Sequence, residues 1–299
     1  MVYTVTFNPA IDYYVRIEEL KAGSINRAQS EELFFGGKGI NVSLVLAELG
    51  VPSRALGFVA GFTGKAIRDG VSAMGIETDF VELEQGCSRI NVKISSGVET
   101  EINGQGPKIP AEALNSLYEK LDGLQEGDTL VLAGSIPGAL PADIYEKILA
   151  RLSHRNVRTA VDATGELLLK VLKYRPFLVK PNRQELGGLF GVSLHTEEEI
   201  VFYGEKLREM GAENVLISLA GDGAILLDEQ GELHRCGACE GKLINSVGAG
   251  DSMVAGFLAG FDRGGREYAL KLGTAAGGAT AFSHGLAKKD RIYELLKQM

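Results

Sequence analysis

From Pro110 onward the chain alternates between helical and strand-like segments, and this rhythm restricts the fold more than any other feature. Helical spacing over 111–121 leads to an aliphatic run at 129–133, and helix 142–152 leads to strand 157–161. A helix near 165–172 leads to strand 177–179, and helix 198–210 leads to strand 214–218, with a further strand at 224–227. Strands alternating with helices in this way build a parallel sheet covered on both faces. Ligands of such open sheets bind outside the carboxyl ends of the strands. Asp12, Ser135, Asp162, Asn182 and Ser218 all fall just past apolar runs, so they are the first candidates for a site. At 299 residues the chain reads as one domain, 1–299, with ample core.

The N-terminal third departs from the rhythm. Residues 2–7 read as a strand closed by Asn8-Pro9, with Asp12 following at its end. Residues 13–35 are short and strand-like, and no long helix fits them. Arg89, Asn91 and Lys93 alternate with Ile90, Val92 and Ile94, which predicts a strand with one polar, basic face. A second short strand at 99–103 completes a hairpin. Segments of about 12–35 and 87–106 therefore form a small β-sheet lid inserted in the main fold. Between them, Gly36-Gly37-Lys38-Gly39-Ile40-Asn41 feeds a helix that Gly50 stops. Lys38 in this turn favours an anionic ligand, although the glycines could serve a tight turn alone. Gly64-Lys65 suggests a Walker loop, but Val59 stands where the first glycine should be and Ala66 replaces the Ser or Thr that would hold magnesium. Residues 66–74 read as a helix.

The stretch Asn245-Ser246-Val247-Gly248-Ala249-Gly250-Asp251-Ser252 joins a loop to a helix that starts near Ala249. Glycines allow close backbone approach, and the first N–H groups of a helix lack intrahelical partners, so this is an anion site. Asp251 sets a carboxylate beside it, the combination that phosphoryl transfer to a hydroxyl needs. An ordinary helix start uses the same residue types, so these eight residues leave both readings open. Asn182 and Glu185 have capping-box spacing, or hold water around magnesium. The Gly/Ala-rich run 273–282 allows tight helix packing or a flat adenine slot. His284, which follows it, reads as a surface or packing residue.

Composition narrows the partners. A formal net charge of -8 argues against nucleic-acid or anionic-membrane binding, while a local basic pocket remains compatible with it. No apolar run approaches the ~20 residues of a membrane span. Three cysteines suggest no disulfide framework, and the C-x-x-C of Cys236 and Cys239 lacks the further ligands of a zinc site. The opening Met-Val-Tyr-Thr-Val-Thr-Phe reads as a strand rather than a leader, so a cytoplasmic location is expected.

Two of these stretches, Gly36–Asn41 with Ser43 and Gly50, and 245–251, stand some two hundred residues apart in an order that resembles the ribokinase-like (PfkB) sugar kinases along the whole chain. Lys180-Pro181-Asn182 to Glu185 matches that family's N-x-x-E element. Residues 4–12, 88–92 and 100–104 are similar to its phosphosugar branch. Asn245-Ser246 replaces the Asp-Thr common in the family, a change the phosphosugar branch tolerates. The resemblance implies a three-layer α/β/α sandwich with a mostly parallel sheet and a β-lid. It implies transfer of the ATP γ-phosphoryl group to the 6-hydroxyl of fructose 1-phosphate, with ATP and Mg2+ as cofactors. Asp251 would be the base, with Gly248, Ala249 and Gly250 as the anion hole. Asp12, Gly37, Asn41, Asn91 and Ser135 would contact the sugar, and Lys38, Arg89 and Arg27 its phosphate. Lys180, Asn182, Ser218, Gly221, Gly223, Gly248 and Gly250 would line the nucleotide site, and Asn182 and Glu185 would position magnesium through water. A homodimer through the lid is expected. A helix N-terminus lowers a carboxylate's pKa, which would weaken Asp251 as a base.

The rival substrates are tagatose 6-phosphate and then fructose 6-phosphate. From another class, a sugar-phosphate-binding regulator without catalysis is disfavoured by the presence of Asp251. A nicotinamide oxidoreductase is excluded by Asn8-Pro9-Ala10, which stands where a G-x-G-x-x-G should follow the first strand.

Overall fold

The alternation after Pro110 resolves into one large sheet, and the N-terminal strands into a small one. A computed structural model describes residues 1–97 and 99–299; Val98, inside the expected lid segment 87–106, lies outside the described residues. The first part of the chain contains β1 (Val2–Thr6), β2 (Ala10–Arg16), β3 (Ser30–Gly36), α1 (Lys38–Glu48), β4 (Ser53–Ala60), α2 (Gly61–Ala73), β5 (Glu77–Thr78), β6 (Val81–Leu83), β7 (Arg89–Ser95) and β8 (Glu99–Asn103). The alternating part runs α3 (Ala111–Asp122), β9 (Thr129–Ala133), α4 (Ile144–Leu152), β10 (Arg158–Asp162), α5 (Gly165–Val171), β11 (Leu178–Val179), α6 (Arg183–Phe190), α7 (Glu197–Glu209) and β12 (Asn214–Ser218). It ends with β13 (Ala224–Leu227), β14 (Leu233–Cys236), α8 (Ala249–Ala281) and α9 (Lys289–Leu296).

The main sheet has the order β14-β13-β12-β11-β10-β9-β1-β4-β5, and β6 also pairs with β4. All its pairs from β12 to β5 are parallel; β13 and β14 add an antiparallel edge. Successive side chains of each strand point to opposite faces. Leu130 and Leu132 therefore join a core with α3, α4 and α7, while Val131 and Ala133 join a second core with α1, α8 and α9. Burial on both faces is why these strands read as unbroken apolar runs.

The lid has the order β3-β2-β7-β8. Asp12, which the sequence placed both after the first strand and at the start of the lid segment, belongs to lid strand β2. Short joints tie the lid to the main sheet. Ser88 Oγ accepts from Ala60 N at 3.0 Å, and Asn8 Nδ2 donates to the Gln105 carbonyl at 2.9 Å.

Strand β4 was not expected. It contains Gly57 at φ 145°, where a Cβ would stand 1.9 Å from the Thr6 carbonyl oxygen, so close approach to β1 requires glycine there and weakens the strand pattern. The helix expected at 66–74 begins earlier, at Gly61, which places Gly64-Lys65 inside a helix. Asp162, expected beyond its strand, is the last residue of β10.

Helix α8 breaks at Gly265 (φ 72°, ψ -162°), and its halves fold against each other. A Cβ at Gly256 would lie 2.6 Å from the Leu272 carbonyl oxygen, and one at Gly273 would lie 2.9 Å from that of Met253. The small residues of the 273–282 run thus serve backbone-to-backbone packing. Gly256→Val should destabilise the fold by about 1–3 kcal/mol, the usual cost of overpacking, measured by urea unfolding. A midpoint equal to wild type would contradict the close contact.

Candidate active site

The glycine turn works because two side chains, Asp12 and Thr6, press on its three glycines. A Cβ at Gly36 would meet Asp12 Oδ2 at 1.9 Å, one at Gly37 (φ 128°) would meet Thr6 Cγ2 at 2.4 Å, and one at Gly39 would meet Thr6 Oγ1 at 2.7 Å. Ile40 N donates to Thr6 Oγ1 at 3.1 Å, so α1 starts directly on the end of β1. One turn along, Asn41 Nδ2 donates to Asp251 Oδ2 at 2.8 Å.

The second turn is held from behind. Gly248, in left-handed geometry (φ 80°), caps α8 without a side-chain hydrogen bond, which leaves the first-turn N–H groups without a side-chain acceptor. Ser252 Oγ donates to the Gly248 carbonyl at 2.9 Å and lies 2.7 Å from Thr280 Oγ1. Ser252 has one hydroxyl hydrogen, so Thr280 is the donor in the second contact. Thr280 Oγ1 in turn accepts from Ala287 N at 2.9 Å. The distal half of α8 thus fixes the turn that opens the proximal half.

Between the two turns lies a group that the sequence marked only by its position. Asp162 is 3% exposed and takes Lys38 Nζ at 2.9 Å and Lys180 Nζ at 3.3 Å. Lys180 reaches the first turn of α8, since a Cβ at Gly250 would stand 3.1 Å from its Nζ. Burial pushes Asp162 up, but Lys180 and Lys38 outweigh it and hold the carboxyl below its usual range. Burial also works against the charge on Lys38, yet Asp162 and Asp251 raise its pKa, with Glu185 adding to them. Asp251 goes the other way. Burial, then the Asp162 charge, push it up to about 7, with Lys38, Asn41 and Lys180 offsetting part of the rise. The sequence expectation that the helix N-terminus would lower Asp251 is therefore corrected, because desolvation exceeds the macrodipole here.

The lid supplies the other wall. Asn91 Nδ2 donates to Asp12 Oδ1 at 2.8 Å, while Asn91 Oδ1 is buried with no protein partner. Arg89 Nε donates to the Asn8 carbonyl at 3.0 Å; burial lowers its pKa and Asp12 opposes the fall. Lys38 thus sits with Asp162 and Asp251, apart from the Arg89 cluster with which the sequence reading grouped it. A cavity of about 720 Å3 runs between lid and α1, lined by Asp12, Tyr14, Phe34, Gly36, Asn41 and Asn245 among others. Tyr14 and Phe34 were not foreseen, and only their place on a predicted lid strand could have signalled them.

The remaining candidates fall further out. Asn182 and Glu185 form a capping box: Glu185 N donates to Asn182 Oδ1 and Asn182 N to Glu185 Oε2, each at 2.8 Å. Asn182 bridges to Ser218 at the end of β12. Gly221 sits in the turn after β12, and Gly223 (φ 91°) packs under the Cys236 carbonyl. Arg27 is exposed in the β2–β3 connection and Ser135 is exposed after β9; among the described residues no hydrogen bond or ion pair brings either to the others.

A profile of the pfkB family carbohydrate kinases matches residues 3–291. The chain is 49% identical to a 1-phosphofructokinase of Bacillus subtilis over 100% of its length and 98% of the relative's. It is 38% identical to a D-tagatose-1-phosphate kinase of Bacillus licheniformis, covering 100% and 98%. Its fold is similar to the solved phosphofructokinase-2 of Escherichia coli in complex with substrates and products, with TM-score 0.92, 25% identity and coverage of 99% and 98%.

Asp251 binds its proton more tightly folded than unfolded, so its ionisation weakens the fold as pH rises from about 4 to about 7. Asp251→Asn removes that loss. The stability of the variant relative to wild type should therefore grow by about 2 kcal/mol between pH 5 and pH 8, measured by chemical unfolding at both. A difference independent of pH would overturn the high proton affinity of Asp251.

Proposed function

The chain belongs to the pfkB family of carbohydrate kinases, and from that membership we propose that it transfers the terminal phosphoryl group of ATP to the 6-hydroxyl of fructose 1-phosphate. The observation that carries this reading is the convergence on Asp251. A buried carboxylate with a pKa of about 7 lies at the N-terminus of α8, near the ammonium groups of Lys38 and Lys180, and is tied by Asn41 to a cavity that Asn41 lines together with Asp12. A base poised near neutrality is the most effective acceptor for a hydroxyl proton.

In this reading the phosphosugar lies in the cavity under the lid. Asp12, Asn91 and Asn41 orient its hydroxyls, with Gly36 and Gly37 giving them room. Arg89, whose guanidinium carries no carboxylate ion pair among the described residues, takes the substrate's own phosphate. Asp251 accepts the 6-hydroxyl proton as the oxygen attacks. The N–H groups opened by Gly248, Ala249 and Gly250 receive the charge developing on the phosphoryl oxygens. Lys38 and Lys180 neutralise that charge from either side. Ser218, Gly221 and Gly223 border the nucleotide.

Magnesium fits the same corner. Glu185 commits one carboxylate oxygen to its capping box, so Oε1 would hold the ion through water, with Asn182, whose Oδ1 accepts from Glu185 N, beside it. The ion would screen phosphate charge on the nucleotide. Both substrates are intracellular metabolites, which supports a cytoplasmic location.

The relative acting on D-tagatose 1-phosphate supports a second reading in which the acceptor is that sugar, with its phosphate at the same carbon. Its name favours a 1-phosphate over the 6-phosphate rival.

The outer face of the lid supports a homodimer. Leu33, Tyr13, Val92 and Ile102 form one transverse row, with Leu33 50% and Ile102 60% exposed. Such a face, beside open strand edges, suits a second copy of itself.

A coupled assay over fructose 1-phosphate, tagatose 1-phosphate, fructose 6-phosphate and tagatose 6-phosphate should give the highest kcat/KM with the first. Asp251→Ala should lower kcat by ~10²–10⁴-fold or more with ATP affinity nearly unchanged by calorimetry. A variant keeping over about a tenth of wild-type kcat would sink the base assignment. Solution scattering at micromolar concentration should report a dimer that Leu33→Asp with Ile102→Asp dissociates; a wild-type monomer would count against the lid interface.

A further inference from the structure

The lid buries one ionisable side chain that the phosphoryl-transfer scheme leaves idle. Lys93 on β7 is 8% exposed. Burying an ammonium is costly unless it is paired. Its partner is the Glu101 carboxylate on β8, and its Nζ lies 5.6 Å from the centroid of the Tyr14 ring, within cation–π range. Strand register makes this possible. Tyr14 opposes Lys93 and Lys93 opposes Glu101, so the three form one transverse row on one face of the lid. The adjacent row toward the core holds Phe34, Asp12, Asn91 and Asn103.

The two rows are coupled. Tyr14 meets Phe34 edge-on, with ring centroids 5.4 Å apart and planes at 87°. Both rings line the cavity beside Asp12. Phe34 lies over Gly285, where a Cβ would be 3.6 Å from its ring, and the next residue, Leu286, packs against Gly248. Asp12 acts electrostatically on Lys93, and together with Glu101 and Tyr14 it keeps the ammonium charged against burial. One row in, the Asn91 amide oxygen is buried and unpartnered. A buried acceptor of this kind calls for a donor from outside, which a sugar hydroxyl supplies.

We propose that Lys93 and Glu101 are positioning residues for the phosphosugar. Their ion pair fixes Tyr14, and Tyr14 fixes Phe34 opposite Asp12, so the sugar-facing wall is in place before the substrate arrives. This rests on the reading of Asp12 and Asn91 as ligands of the sugar hydroxyls. It separates the lid's polar face into groups that touch the sugar and groups one row away that set them.

The test is steady-state kinetics on the full-length chain, with calorimetric titration of fructose 1-phosphate alongside. Lys93→Met should raise KM and Kd for fructose 1-phosphate about tenfold, the scale of one charge-assisted hydrogen bond. KM for ATP and the thermal midpoint should stay near wild type. Lys93→Arg keeps charge and ring contact and should recover most of the loss. Lys93→Met with Glu101→Gln should be no worse than Lys93→Met, because the pair acts as a unit. Should Lys93→Met fail to fold, Glu101→Gln is expected to show the same sugar-specific rise. An unchanged sugar KM, or sugar and ATP constants rising together with a lowered thermal midpoint, would overturn the positioning role. Wild-type protein that neither binds nor turns over fructose 1-phosphate would overturn the proposed function, and this inference with it.

Discussion

The arrangement depends on one buried carboxylate between two ammonium groups. Asp162 ends β10, Lys38 opens α1, and Lys180 follows β11, so two strand ends and a helix start converge on a single ion cluster. Breaking a buried ion pair by removing one partner costs ~3–5 kcal/mol, a large share of the ~5–15 kcal/mol that holds a domain folded. The cluster also sets the chemistry of its neighbour. With Asp162 kept ionised by the lysines, a second negative charge close by is unfavourable, and that repulsion adds to desolvation at Asp251. One interaction thus sets two cations near Asp251, where they offset part of the rise, and, through the Asp162 charge, adds to the burial that lifts the aspartate toward neutrality.

Much of the fold was legible because the signals were local. Apolar strands buried on both faces, helical spacing between them and the capping box at Asn182 and Glu185 can each be read within a dozen residues. What escaped depended on contacts distant in sequence. Strand β4 carries a glycine that looks like a breaker until the Thr6 carbonyl is seen against it. Whether Asp12 ends the first strand or begins the lid stayed unresolved in sequence, because Asn8-Pro9 marks a turn without saying which sheet follows.

The candidate site divides the same way. Its glycine turns and Asp251 were visible as motifs. The pairing of Lys38 with Asp162 spans 124 positions, and nothing near either residue announces it. The proton affinity of Asp251 was read in the wrong direction for a related reason. The helix N-terminus is a local feature, whereas burial and the Asp162 charge are products of the assembled fold. The tail shows the converse. Its small residues were ambiguous between a ligand slot and helix packing, and the break at Gly265, which brings the two halves of α8 together, decides for packing.

The joints between the two sheets have a consequence for how such a protein can change over time. The lid is tied near Asn8 and Ser88 and packs Ile11 and Phe35 with α1 and α2, while the groups proposed for phosphoryl transfer sit on the main sheet and its helices. On the proposed function, mutations on one face of β2, β7 and β8 would change sugar recognition while leaving the groups proposed for phosphoryl transfer in place. Relatives at 49% and 38% identity carry the names of kinases for different sugars, as such a separation of duties would allow.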